Sequence, residues 1–155
     1  MTAIFLPVRV GAFLFAVHQD DIRDIKLSGD LPSRSTAADR IYDAAVMLGL
    51  RSSPPSPLPA DLTVIYWQPA PLRRPVGLIV DSISTLAALD FPENPALPRF
   101  PRTASVFIDA IFNGNPDGAL SFRLKRGIFR LDRSLRRHLR LARIVTEDRH
   151  AFCRA

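Results

Sequence analysis

Fourteen prolines, all between Pro7 and Pro116, set the limits on what this chain can build. Proline donates no N–H and holds φ at about −65°, so helix interiors and central strands avoid it. Two dense runs, "SSPPSPLPAD" at 52–61 and "FPENPALPRFP" at 91–101, are expected as loops or extended connectors. The segments left over are short and apolar: "AIFLPVRV", "AFLFAV", "DLTVIYW", "PVGLIVDSISTL" and "SVFIDAIF". They have strand length and are rich in β-branched and aromatic residues, which fit a pleated surface. "NGNPDG" at 113–118 supplies the left-handed and fixed-φ positions of a tight turn, so "SVFIDAIF" and "ALSFRLK" should pair as a hairpin. Within the second, Phe122 and Leu124 alternate with Arg123 and Lys125, as on a half-buried strand.

Few helices are expected. "HQDDIRDIKL" (18–27) offers Asp20 or Asp21 as an N-cap, with Ile22 and Ile25 on one face. "YDAAVMLGL" (42–50) has Asp43 near its start and Gly49 near its end. "LDRSLRRHLRLARIV" (131–145) aligns Leu131, Leu135, Leu139 and Ala142 in one stripe, although "LRLARIV" also suits a strand. No strand–helix alternation over 30-residue units is present, so the fold class is mainly β with short helices.

With 155 residues and 47% hydrophobic residues, the chain is long enough for one packed domain or two small subdomains sharing a core. Pro7 and Arg9 interrupt the apolar N-terminal stretch well before the ~20 residues of a membrane span. No signal peptide is read there, and a cytoplasmic location is the default. The single cysteine, Cys153, excludes an intrachain disulfide framework and a multi-cysteine zinc site.

The net charge of +6 is uneven: residues 121–155 hold 11 of the 21 Lys and Arg but only three acids. Such a basic end suits nucleic acid, an anionic membrane or an acidic protein partner, or is simply a solvated helix face. Arg133, Arg136, Arg137, Arg140 and Arg143 are the candidates for phosphate contacts. No aromatic residue stands between Arg130 and His150 to stack on bases, which weakens the nucleic-acid reading.

Asp81 closes the aliphatic run of "PVGLIVDSIS", where an enzyme would keep a nucleophile or metal ligand. "FLFAVHQDD" and "GLIVDSIS" imitate two elements of response-regulator receiver domains. The late lysine, Lys125, precedes Arg126 rather than proline, and prolines stand where crossover helices belong. His18, His138 and His150 lack metal-ligand spacing, and GxSxG, Walker-type and GxGxxG motifs are absent. The expectation is therefore no enzyme, no metal and no cofactor. Asp81 should instead bond local backbone N–H groups as the chain turns into "SIST", and Gly77 should let another backbone approach closely.

The order of the apolar segments resembles the CheW-like domain family. "FLPVRVGAFLFAVHQDDIRDI" is similar to its first two strands and a short helix, with Ile22, Asp24 and Ile25 in the aliphatic-x-acid-aliphatic pattern. "RIYDAAVMLGL" matches an Asp…Leu-Gly segment through Asp43, Leu48 and Gly49. "VGLIVDSISTL" matches a Gly-aliphatic-aliphatic-Val-Asp strand through Gly77, Val80, Asp81 and Ile83. "GIFRLDRSL" resembles the closing Leu-Asp and short apolar helix through Leu131, Asp132 and Leu135. The resemblance implies two small SH3-like β-barrel subdomains sharing a core, over residues 1–135, followed by a basic extension at 136–155. It also implies an adaptor that couples chemoreceptors to a CheA-type histidine kinase. One departure is marked: Leu27 to Arg40, "LSGDLPSRSTAADR", is too short for the family's two strands there. One subdomain is therefore expected to be truncated, with a sheet edge left for a partner or a second copy of the chain.

Overall fold

The computed structural model describes residues 3–30, 40–55, 57–70, 72–91, 107–112, 121–126 and 133–144, and within them two β-sheets share one core. The first sheet starts from a hairpin of β1 (Ala3–Val10) and β2 (Phe13–His18), turned at Gly11, whose φ of +61° suits glycine. β9 (Ile108–Phe112) and β10 (Ser121–Leu124) pair antiparallel, as the turn chemistry between them predicts, and β10 lies parallel to β2. Two short strands, β7 (Ser82–Ile83) and β8 (Ala87–Leu89), share the other side of β1. Pro7 is tolerated inside β1 because it falls in the gap between those two, where only its C=O is engaged, accepting from Ser84 N–H at 2.8 Å.

The second sheet runs in the order β3 (Ile22–Leu27), β5 (Thr63–Trp67), β6 (Val76–Val80), β4 (Ile41–Asp43). The helix expected over 18–27 is not formed: Gln19–Asp21 make one 3-10 turn, and Ile22–Leu27 extend as β3. Two helical turns have little intrinsic stability, whereas the extended segment gains a ladder to β5 from Ile22 opposite Trp67 to Leu27 opposite Thr63. β4 lies parallel to β6, with Ile41 opposite Gly77. A Cβ on Gly77 would stand 3.0 Å from Ile41 Cγ1 and 3.3 Å from Val64 Cγ1. The glycine thus makes room for neighbouring side chains, not for the close backbone expected from the sequence.

Between the sheets, Leu6, Val8 and Phe15 from the first meet Ile65, Trp67 and Leu78 from the second. α1 (Ala44–Met47) closes this core with four buried residues. Asp43 caps it by accepting from Ala45 N–H at 3.0 Å, and Gly49, at φ +78°, lets the chain leave it. α2 (Arg133–Ala142) lies on both sides of position 135 and packs against α1 and β4, with Leu139 half-buried and Ala142 fully buried. A smaller cluster, containing Phe5 and Phe91 with ring centroids 5.2 Å apart, covers the other face of β1.

Candidate partner-binding surfaces

The two edges of the second sheet differ. Beside β4, Tyr42 bridges to Arg143, and Ile144 N–H donates to Ile41 C=O at 2.7 Å. On the side of β3 away from β5, no described residue pairs with the strand. The phase of its ladder is set by Ser28 N–H, which donates to Leu62 C=O at 2.7 Å. By antiparallel alternation, the backbone groups of Asp24 and Lys26 then face β5, and those of Ile25 and Leu27 face outward. Asp24 Oδ1 accepts from Ile25 N–H at 2.8 Å, so a side chain of the strand itself occupies one outward donor. Ile25 and Leu27 remain 40% and 52% exposed, although their register partners put them on the face that Ile65 buries. Asp24 and Lys26 stand on the opposite face, their charged groups 3.9 Å apart.

A second surface is basic. Arg137 and Arg140 on α2, and Arg143 just after it, are exposed, and Leu141 beside them is 59% exposed. Arg133 and Arg136 lie on the same helix. α2 contains no acid of its own, and its half-buried Leu139 and buried Ala142 hold it to the core. Asp132, expected from the motif that precedes this helix, is outside the described residues, as is most of the shortened stretch between Leu27 and Arg40.

Asp81 stands where the chain leaves the second sheet at the end of β6 and joins the first as β7. Its Oδ2 accepts from Gly11 N–H at 2.7 Å, and its own N–H donates to Arg9 C=O at 2.9 Å. The local backbone contacts expected from the sequence are replaced by contacts 70 positions away, and the side chain pins the β1–β2 turn to the corner between the sheets. An equally remote pair went unforeseen: the buried Asp21 carboxylate receives Arg126 Nε at 3.3 Å and a terminal guanidinium nitrogen at 3.2 Å. This contact holds the Arg126 guanidinium in its protonated form even more firmly than usual. No local motif announces it, because the partners are 105 positions apart.

Asp43 is buried, and its Oδ2 has no hydrogen-bond donor, with the Arg51 guanidinium 3.7 Å away. Burial raises its carboxyl above the ordinary 3.8; the Ala45 N–H and Arg51 oppose the rise, and the Asp81 charge adds to it. The folded state therefore holds this proton more tightly than the unfolded chain does. Asp43 accordingly contributes a loss of stability as pH rises from 3.8 through its raised value. Asp43→Asn keeps the capping oxygen and removes the charge. Its melting temperature relative to wild type should climb over that pH window and then level off, as thermal scans from acid to neutral pH would show.

A small gap in the interior is lined by apolar side chains such as Val8, Phe15, Met47 and Leu78. Among the described residues no three His, Cys, Asp or Glu side chains converge as metal ligands, and no helix is long and apolar enough to cross a membrane. What these residues offer for recognition is a strand edge with apolar flanks and a basic helix.

No family model matches the sequence, and no curated protein matches it. Among solved structures, it is similar to the scaffolding protein TtCheW from Thermoanaerobacter tengcongensis, with a TM-score of 0.56 and 15% sequence identity over 81% of this chain and 90% of that one. The chain thus has the mainly β, SH3-like fold of a CheW scaffolding protein.

Proposed function

We propose that the chain is a non-catalytic adaptor acting in the cytoplasm, in chemotaxis or a related two-component pathway. It would couple a chemoreceptor or similar signalling protein to a CheA-type histidine kinase through protein–protein contacts. The observation that carries this reading is the two-sheet fold shared with a scaffolding protein over four-fifths of the chain. The arginines of α2 supply electrostatic complementarity to an acidic partner.

The exposed Arg137, Arg140 and Arg143 also favour a second reading, a basic β protein bound to the phosphates of nucleic acid. Affinity capture from native lysate separates the two. Recovery of a histidine kinase or chemoreceptor that persists as salt is raised from about 50 to 200 mM supports the adaptor. Recovery of nucleic acid alone, lost steeply over the same range, would overturn it. Replacing Arg136, Arg137 and Arg140 by serine is expected to abolish a polyanion complex and to spare contacts made through the sheets.

A further inference from the structure

We propose that the β3 edge pairs with β3 of a second copy of the chain, antiparallel, around a two-fold axis through Ile25. The argument is the charge pattern of the strand and stands apart from the adaptor reading. An edge strand with outward backbone groups is a template for another strand, and β3 directs those of Ile25 and Leu27 away from β5. With the axis at Ile25, Asp24 lies opposite Lys26 of the second copy, and Lys26 opposite its Asp24. Asp24 and Lys26 already stand 3.9 Å apart within one strand, so the four charges form a square of alternating sign. On the opposite face the two Ile25 side chains meet, with Leu27 of each copy alongside.

Neighbouring registers fail. An axis at Asp24 or at Lys26 sets like charges against each other, and an axis between two residues sets the outward backbone groups of Ile25 against a residue of the second copy whose own groups face β5. Cross-strand pairs of like sign are destabilising. Arg23 is also committed within its own chain, donating to Gln68 Oε1 at 3.1 Å and to Asp20 C=O at 2.9 Å. In the monomer, Asp24 Oδ1 occupies the Ile25 N–H. Pairing transfers that N–H to the Ile25 carbonyl of the second copy, and the Asp24 carboxylate turns to Lys26 across the axis.

The test is sedimentation velocity on the full chain, from roughly 1 μM to 1 mM, with four variants. Wild type is expected to pass from monomer to dimer within that range. Asp24→Lys and Lys26→Asp each place like charges across both symmetric pairs and should weaken the dimer by about tenfold or more. The double exchange, Asp24→Lys with Lys26→Asp, restores opposite charges and should return affinity to within about threefold of wild type. Ile25→Pro removes an N–H that the β3–β5 ladder does not use, so its circular dichroism should match wild type while dimerisation is lost. A wild-type monomer throughout, as an edge reserved for a different protein would give, overturns the proposal. So does a dimer indifferent to the single reversals, or a double exchange that fails to restore it.

Discussion

Trp67→Ala is expected to lower the free energy of unfolding by about 3–5 kcal/mol, the range for truncating a large buried aromatic residue. Trp67 is 2% exposed and belongs to the core that both sheets share. It ends β5, between Ile22 of β3 and Val76 of β6, so its loss opens a hole against two neighbouring strands. For a chain of this size each kcal/mol corresponds to about 2–4 °C in melting temperature. The melting temperature should therefore fall by about 6–20 °C. Trp67 is the only tryptophan, so far-UV circular dichroism in urea is the suitable readout. The unfolding transition should stay single, because the sheets share one core; two separated transitions would contradict that.

Arg126→Ala removes the partner of a buried carboxylate. Asp21 is 5% exposed and takes two charge-assisted hydrogen bonds from Arg126, whose side chain is itself 54% exposed. Loss of one member of a fully buried pair costs about 3–5 kcal/mol; solvent around the guanidinium lowers the expected cost here to about 1–3 kcal/mol. The contact ties the turn between β2 and β3 to the residues that follow β10, so the damage should spread to both sheets. A double-mutant cycle with Asp21→Ala isolates the pair. If the pair acts as described, the double variant is less destabilised than the sum of the singles. Strict additivity would mean that Asp21 and Arg126 do not interact in solution.

Elements whose shape depends on neighbours in sequence were legible. The strand segments between prolines, the pairing across 113–118 and the α1 signals at Asp43 and Gly49 all follow from local chemistry. β3 was misread because "DDIRDIKL" carries an N-cap and an i, i+3 isoleucine pair, and only the distant β5 makes the extended form win. The same limit applies to roles. The aliphatic run before Asp81 correctly marked a buried strand, but the partner of its carboxylate is Gly11, which no reading of 75–84 alone supplies. Asp21 and Arg126 gave no signal, since an ion pair across most of the chain leaves no spacing to recognise. The short Leu27–Arg40 connection led to the expectation of an unpaired sheet edge, but it did not name β3, read as a helix, as the strand, and the self-matching charges required knowing which of its residues face outward.

The parallel pairing of β10 with β2 also governs how the chain comes into being on the ribosome. β2 is finished early, and the strand that covers its open side, Ser121 opposite Leu14, emerges roughly 100 residues later. At elongation speeds of about 5–20 residues per second, the nascent hairpin waits for roughly 5–20 s with an apolar flank uncovered. Phe15 spends that interval without Phe122, its eventual ring neighbour at 5.5 Å. Newly made chains are therefore most vulnerable to chaperone capture and to aggregation through β2, before the last quarter of the sequence has left the exit tunnel.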